Sequence, residues 1–510
     1  MLTRQQIYTL LIVVSAGLML GRIIATNRTD TQLLQKSLLA QIPQKLAEKE
    51  QRLREANVPE DQLIAELKKT EERLLIDANH GLPVFSANDR SRWNTIRVLV
   101  EPDMRVHRTI THSDGSECTE TVWYAIDKVQ NVKGWDTIDM VKHDLPDQPG
   151  VGYLYSSKPP LLPTVLAAPY ALMYWGSNGK LSLADEPYLV VRITVVVCNL
   201  LPLIFCWFLL SRLIDRFGTT EWGRVFTMVF VCFGTFLSTF AITLNNHLPA
   251  VISVTIAFYC AVRIVYDQES RWRYFAAAGF FSAFAVACEL PALLFCCLLG
   301  LWLFCHQYSR MLFLFVPAAL MVAVAFFATN YTAHKTYSLA YSQQGWYFYE
   351  YERGGRVLES YWKNPVGIDK GEPRREDYIF HATIGHHGLF SLTPVWAMSL
   401  IGLGFWLFDR RYCSMSVIIL FTSVVVFAFY MAMPLELRNY GGMTSALRWL
   451  FWLAPLWSVA LVAAADQFSR NVFFRVIALA CLIISAMSAA YPTWNPWTMP
   501  WTYNLLQYIG

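Results

Sequence analysis

Hydrophobic segments of membrane-spanning length recur along this chain and constrain its fold more than any other feature. Each lies near the ~20 residues that a helix needs to cross the hydrocarbon of a bilayer. They occupy about 7–24, 188–211, 225–243, 249–265, 273–289, 291–306, 311–329, 389–407, 414–433, 447–465 and 473–490. With 55% hydrophobic and only 16% charged residues, the composition is also too apolar for a soluble domain. The sequence therefore predicts an all-α polytopic membrane protein with about 11 transmembrane helices.

The arginines of the short loops predict how these spans are oriented. One set of alternate loops carries Arg212, Arg216, Arg263, Arg271, Arg273, Arg310, Arg410, Arg411, Arg470 and Arg475. The short opposite loops around Asn246 and Leu290 carry none, and Arg438 and Arg448 are the only exceptions, so the arginine-rich side is predicted to be cytoplasmic. This orientation follows only if the apolar stretch 160–176 does not cross the membrane. We therefore predict a surface or re-entrant helix there. The N-terminus is then cytoplasmic, and the C-terminus lies on the periplasmic or lumenal face.

The segments between the spans complete the predicted organisation. Residues 89–100 carry apolar residues at helical spacing, which predicts an amphipathic helix on the membrane surface, and 105–124 predict a strand pair. Residues 29–78 predict a charged helical hairpin, either a packing arm or a partner-binding arm. The predicted regions are a signal-anchor span (1–28), the helical hairpin insertion (29–78), a first outer loop with surface helices (79–187), a transmembrane core (188–329), a second outer loop (330–388), the C-terminal transmembrane helices (389–490) and an aromatic outer tail (491–510).

Several function classes are disfavoured by composition and motifs. The net charge of +4 comes without a long basic run, so no nucleic-acid partner is predicted. Ten of the 11 cysteines lie in or beside hydrophobic segments, where they are typical of apolar packing rather than of disulfides. No phosphate-binding loop of the nucleotide-driven transporters occurs in a suitable context.

Short motifs flanking the first outer loop resemble those of the GT-C superfamily of membrane glycosyltransferases, especially the branch of protein O-mannosyltransferases and lipid A aminoarabinose transferase. The matching positions are Asp89, Lys158-Pro159-Pro160-Leu161, a helix through Trp175, Val191-Arg192-Ile193, and Gly441-Gly442 to Arg448. The pattern departs in having Arg90 after Asp89, where the family commonly has a second acid. The resemblance implies a GT-C-like fold and inverting transfer of a hexose or pentose from a polyprenyl-phosphate-linked donor. The donor is a membrane lipid, and the acceptor class (protein, lipid or glycan) is left open.

The resemblance also implies roles for three residues. Asp89 is predicted as the catalytic base, because the acceptor hydroxyl must lose its proton to a carboxylate within hydrogen-bond reach. Lys158 and Arg448 are predicted to bind the donor phosphate, because negative charge accumulates on it in the transition state. The alternatives are a helix cap for Asp89, a snorkelling interfacial lysine, and an ordinary loop-end arginine.

Six further polar residues are hypotheses for substrate contact on the same predicted face: Asp136, Asp139, Asn246, His247, Glu289 and His387. For each, a solvated surface, pairing with a neighbouring helix or interfacial packing is the alternative. No metal site and no cofactor are predicted, because adjacent loop histidines rarely supply three convergent ligands. Two other functions remain open: a flippase or transporter for lipid-linked saccharides, and an inactive GT-C-like scaffold.

Overall fold

Helices occupy every hydrophobic segment that the sequence predicts to span a membrane. The computed structural model describes residues 3–56, 58–78, 82, 84–111, 114–353, 355–493 and 495–509. Within them, eight helical segments are long and apolar enough to cross a bilayer: Arg4–Ile24, Pro187–Phe217, Glu221–Phe240, His247–Tyr266, Leu290–His334, Cys413–Met431, Arg448–Gln467 and Val472–Ala490. Two shorter apolar helices, Trp272–Cys288 and Val395–Phe408, fill the remaining predicted spans. The predicted all-α polytopic membrane fold is confirmed.

The elements follow one another in the order that the spans and loops predict. The first part comprises α1 (Arg4–Ile24), α2 (Thr26–Glu55), α3 (Glu60–Ala78), α4 (Ala87–Val100), β1 (Val106–Thr111), β2 (Glu117–Val122), α5 (Asp127–Gln130), β3 (Met140–Leu145), β4 (Gln148–Ser156) and α6 (Leu161–Gly176). The membrane core comprises α7 (Pro187–Val195), α8 (Leu201–Phe217), α9 (Glu221–Val229), α10 (Leu237–Phe240), α11 (His247–Tyr266), α12 (Trp272–Cys288), α13 (Leu293–Arg310) and α14 (Val316–His334). The last part comprises β5 (Glu350–Arg353), β6 (Arg356–Glu359), α15 (Arg375–Thr383), α16 (Leu389–Leu392), α17 (Val395–Phe408), α18 (Cys413–Met431), α19 (Ala454–Gln467), α20 (Val472–Ala490) and α21 (Trp501–Ile509).

The 45-residue apolar segment Leu290–His334 is a pair of antiparallel helices, α13 and α14, rather than one rod. Gln307 has a non-helical backbone (φ −147°, ψ 69°) and breaks the segment near its middle. The Phe315 ring comes within 3.4 Å of a Cβ placed on Gly300. Fifteen residues of straight helix would separate these positions by about 22 Å. The chain therefore reverses at Gln307, and the segment holds both of the spans predicted there.

Polar contacts divide the helix bundle into two ends. At one end, Arg4 of α1 pairs with Asp215 at 2.8 Å, and Asp466 of α19 accepts hydrogen bonds from Thr219 and Thr220 between α8 and α9. At the opposite end of α1, Arg22 donates to the carbonyl of Thr493 at 3.0 Å. The loops that carry most of the arginines gather at the first end. The outer-loop motifs gather at the second.

Helix α6 begins and ends at the second end of the bundle. Just before it, Lys158 pairs with Asp139 of the first outer loop. Within it, the Tyr170 hydroxyl donates to Glu101 and accepts from the backbone N–H of Leu183, which lies after the helix. Because α7 then begins at this same end, the 16 residues of α6 do not cross the bundle.

Helix α4 has a different environment from the one its sequence predicts. It was expected to lie on the membrane surface, yet Asn88, Asp89, Arg92 and Arg97 on its polar side are all buried. The outer-loop elements cover that side, and the charges are satisfied internally: Arg97 forms a two-pronged ion pair with Glu101 at 2.8–3.1 Å. The prediction of an amphipathic surface helix is therefore wrong in its placement, because the covering layer comes from distant sequence.

Close contact between α17 and α19 requires a residue without a side chain. A Cβ on Gly402 would lie 2.0 Å from the carbonyl oxygen of Ala460, whereas a Cβ on Gly404 would meet no atom within 4 Å. We expect Gly402→Ala to lower the free energy of unfolding by about 1–3 kcal/mol, the usual cost of overpacking. Thermal unfolding in detergent, followed by tryptophan fluorescence, measures this. Gly404→Ala is the matched control, and equal melting of the two variants would contradict the packing argument.

Candidate functional site

The Asp89 carboxylate lies in the first turn of α4 and is 1% exposed. Ser86 caps this helix, and its backbone N–H and hydroxyl both donate to Oδ1 of Asp89. The Thr243 hydroxyl donates to Oδ2. Burial raises the pKa of Asp89, and the hydrogen bonds from Ser86 and Thr243 oppose this rise. Both carboxylate oxygens of Asp89 thus accept hydrogen bonds, and the residue forms part of the capping box of α4.

A chain of polar contacts connects α4 with three distant segments. Arg92, one turn after Asp89, donates to the side-chain oxygen of Asn246. Asn246 donates to Glu289 at 2.6 Å, and Glu289 in turn pairs with Nδ1 of His247. Nε2 of His247 contacts Arg448 at 2.7 Å. Four residues predicted as substrate or phosphate contacts therefore form one connected network.

The network returns to Asp89 through the C-terminal tail. The Arg448 guanidinium lies 4.9 Å from the centre of the Trp497 ring, within cation–π range. The Trp497 indole N–H donates to the Thr243 hydroxyl at 3.1 Å, and Thr243 donates to Asp89. Arg448 also donates to the carbonyl of Gly441 at 2.6 and 3.0 Å. The backbone of Gly441 has φ +98°, a conformation that favours glycine. The Gly-Gly motif therefore positions the carbonyl that accepts from Arg448.

Lys158 pairs with Asp139 at 3.0 Å, and both side chains are about one-seventh exposed (13% and 15%). Burial alone would raise the pKa of Asp139, but the Lys158 ammonium, followed by Arg448 and Arg92, outweighs it and holds that pKa below its ordinary value. Burial lowers the pKa of Lys158, and Asp139 opposes this. Lys158 is therefore the ion-pair partner of Asp139, and the charges of Arg448 and Arg92 act on this carboxylate from further away.

Tyr341 lies beside these charged groups. The residue is 51% exposed. Its pKa is raised by burial, and Arg92, Glu289, Asp139 and Arg448 all act on that pKa from different segments. The partly accessible side chains of Tyr341, Lys158 and Asp139 define the cavity of this site. Lys158 and the Asp89 helix lie on the same end of the bundle and contribute to the same site.

Two of the predicted substrate residues lie elsewhere. Asp136 is on the outer surface, 41% exposed, and pairs with Arg353 of β5 at 3.2 Å. His387 is buried, stacks on Tyr440 (ring centroids 4.8 Å apart) and contacts the carbonyl of Thr444 at 3.1 Å. It packs beneath the 439–448 loop rather than facing the cavity. Among the residues that the structure describes, no group of three His, Cys, Asp or Glu side chains is arranged to hold a metal ion.

Four residues of the site escaped sequence reasoning: Arg92, Thr243, Tyr341 and Trp497. Arg92 falls within the predicted amphipathic helix 89–100 and Trp497 within the aromatic outer tail 491–510, and neither is singled out as a site residue. The signal that could have found Arg92 is its position one turn after Asp89 on the same helix, because i and i+3 share a face. Thr243 and Tyr341 carry no local signal.

No protein-family model and no curated protein sequence matches the chain. Solved structures of the oligosaccharyltransferase from Archaeoglobus fulgidus do match. The apo crystal structure has 13% identity and a TM-score of 0.39 and covers 81% of this chain and 52% of its own. The complex of the archaeal enzyme AglB with an inhibitory peptide and a dolichol-phosphate has 11% identity and a TM-score of 0.33, and covers 70% and 50%. The complex with Zn and sulfate has 11% identity and a TM-score of 0.37, and covers 70% and 47%.

The chain spans about half the length of these solved structures. Because every TM-score is below 0.5, these matches assign no function to the site.

Removal of Lys158 tests how strongly the cavity charges are coupled. With its folded pKa held below the unfolded value, Asp139 stabilises the fold above the unfolded pKa, and this contribution is lost as the pH falls through the folded pKa. In Lys158→Met the carboxylate loses its ion-pair partner, so its pKa rises and its stabilising contribution falls. We expect a loss of about 3–5 kcal/mol near neutral pH that shrinks as the pH is lowered.

Thermal unfolding in detergent between about pH 5 and about pH 8 measures this. Lys158→Met/Asp139→Asn removes both charges and should recover most of the loss. A double variant as unstable as Lys158→Met would show that the ion pair does not set the stability.

Proposed function

We propose that this protein is a membrane glycosyltransferase that moves a sugar from a polyprenyl-phosphate-linked donor to an acceptor hydroxyl. The observation that carries the proposal is the cavity at which Lys158 pairs with Asp139 and the charges of Arg92 and Arg448 act on the same carboxylate. With Glu289, which the two arginines also face, these groups carry three positive and two negative charges, and the excess of positive charge suits a phosphate group. A carboxylate beside that phosphate position suits deprotonation of an attacking hydroxyl.

Lys158 and Arg448 suit the donor phosphate for different reasons. The ammonium of Lys158 is a compact charge that is already largely desolvated. The guanidinium of Arg448 is planar and can donate two parallel hydrogen bonds to a phosphate. As the sugar leaves, negative charge grows on the phosphate, and cations fixed beforehand stabilise that charge without reorganising. A bound phosphate would also interact with Lys158 and would weaken the ion pair between Lys158 and Asp139. Donor binding thereby makes the carboxylate a better base.

Asp139 is better placed than Asp89 to accept the acceptor proton in this conformation. A base must come within hydrogen-bond distance of the hydroxyl. Asp139 borders the cavity, whereas Asp89 is 1% exposed with both oxygens occupied by Ser86 and Thr243. In this proposal Asp89 holds Thr243 and the start of α4 in position. The base role that the motif resemblance implies for Asp89 remains the competing assignment.

The site is assigned to the periplasmic or lumenal face. It lies at the end of the bundle opposite Arg4, Asp215 and Asp466, where the arginine-rich loops gather. The positive-inside rule puts those loops in the cytoplasm. A lipid-linked donor would reach such a site from the outer leaflet, with its phosphate at the level of Lys158.

The proposal is tested by incubating purified protein with a panel of polyprenyl-phosphate sugars and measuring the released lipid phosphate by mass spectrometry. Release from at least one donor is expected. We expect Asp139→Asn to lower the rate by about 10²–10⁴-fold, the usual contribution of a general base. Asp89→Asn should cost less, because an amide oxygen can still accept from Ser86 or Thr243. The reverse ranking would return the base role to Asp89, and no release from any donor would favour a transporter or a scaffold.

Arg448→Lys tests the forked phosphate contact. Lysine keeps the charge but loses the paired donors and the support from Gly441, so donor KM should rise by about tenfold or more. Arg438→Lys is the matched control, because Arg438 donates to the carbonyls of Met433 and Pro373 rather than bordering the cavity. Unchanged kinetics of Arg448→Lys at low donor concentration would remove Arg448 from the phosphate site.

A further inference from the structure

A second cavity, of about 470 Å³, lies in the outer-loop layer between the β3–β4 and β5–β6 hairpins. This volume is within the range of ordinary small-molecule sites. Its lining comes from both outer loops and comprises Asp127, Asn131, Lys142, Gly152, Leu154, Tyr351, Glu352 and Gly355. Apart from Tyr351 and Leu154, the side chains that line it are polar or absent.

The lining specifies the chemistry of a ligand. Asp127 and Glu352 outnumber Lys142, whose ammonium is already bound to the carbonyl of Glu350 at 2.8 Å. An anionic ligand is therefore disfavoured, and the few apolar groups disfavour a lipid chain. Two carboxylates, an amide and one aromatic ring suit a polyhydroxylated ring. Its hydroxyls can donate to the carboxylates, and its C–H face can pack on the electron-rich face of Tyr351.

The cavity is held in shape by specific contacts. Both carboxylate oxygens of Asp127 accept the backbone N–H of Leu154, at 3.1 and 3.2 Å, which fixes the carboxylate's position. Burial raises the pKa of Asp127 to about 6, so it is ionised at neutral pH and accepts hydrogen bonds. Gly152 leaves room for Lys142, because a Cβ there would lie 2.8 Å from Cε of that lysine. The hairpin glycine Gly355 has φ +71° and lies at the rim.

Strand β3 connects this cavity with the charged site. Asp139 directly precedes β3, and Lys142 is the third residue of that strand. Tyr349 lies between the two sites: its hydroxyl donates to the carbonyl of Met140 at 3.3 Å, and its ring lies 5.8 Å from that of Tyr351. The cavity and Asp139 are thus connected through the start of β3 and through Tyr349.

We propose that this cavity binds a neutral or amine-bearing saccharide portion of the acceptor and presents it to the Asp139 site. The role of this cavity in acceptor binding rests on the glycosyltransferase function proposed above. The saccharide specificity of the cavity is testable independently of any transfer.

The test is saturation-transfer NMR on the full chain in detergent, with methyl glycosides of mannose, glucose and galactose, N-acetylglucosamine and glucosamine as probes. At least one should bind the unmodified protein. Tyr351→Ala and Glu352→Gln should each weaken that binding by about tenfold, the effect of losing one stacked ring or one hydrogen bond to a charged group. Glu359→Gln, on the neighbouring strand β6 and outside the cavity, is the control and should bind normally. Absence of binding by every probe, or binding unchanged in both cavity variants, overturns the proposal.

Parallel measurement of lipid-phosphate release separates the two proposals. Release without any saccharide binding by the unmodified protein would overturn the acceptor cavity and leave the transferase function standing. Cavity-dependent binding without release from any donor would support the cavity as a saccharide site and overturn its link to transfer. Glu352→Gln keeps the size and shape of the side chain, so the test survives if Tyr351→Ala fails to fold.

Discussion

Charge enclosed at the end of an apolar helix bundle is costly unless it is paired, and the organisation of this protein follows from how that requirement is met. Arg92, Glu289 and Arg448 lie on segments separated by long stretches of sequence. Each finds its partners on the others through Asn246 and His247. None of these side chains can be moved or removed alone without leaving a neighbour unpaired in a poorly hydrated space. The network therefore holds the segments in one arrangement.

The same requirement explains why the outer loops pack against the bundle instead of extending into solvent. Ser91 of α4 donates to the carbonyl of Asp139 at 2.5 Å and contacts the Ser156 hydroxyl at 2.7 Å. These contacts hold the helix against the open end of the β3–β4 hairpin, where β3 begins and β4 ends. The hairpin in turn carries Asp139 toward Lys158. In this arrangement three cations, Arg92, Lys158 and Arg448, lie with two carboxylates, Asp139 and Glu289, at the same end of the bundle. In the proposed function, the extra positive charge would stabilise negative charge that develops during sugar transfer.

Particular residues show how far sequence reasoning extends at the site. Asp136 and Asp139 were assigned the same role from the same short segment, yet one forms an exposed ion pair with Arg353 and the other an enclosed pair with Lys158. Three residues along an irregular segment are enough to turn a side chain from the cavity to solvent. Asn246, His247 and Glu289 lie at the predicted ends of apolar spans, where the sequence allows either substrate contact or pairing with a neighbouring helix. Their mutual contacts followed from helix packing that no local pattern encodes.

The sequence by itself determined the apolar spans, the segregation of arginines to alternate loops and the break between α2 and α3. All of these depend on periodicity, hydropathy and neighbouring residues, which are local properties. Only the tertiary structure decided which carboxylate pairs with Lys158, why α4 is buried rather than laid on the membrane surface, and that Thr243, Tyr341 and Trp497 belong to the site. Those outcomes depend on segments brought together over hundreds of residues, because a buried charge takes its partner from whatever lies nearest in space rather than nearest in the chain.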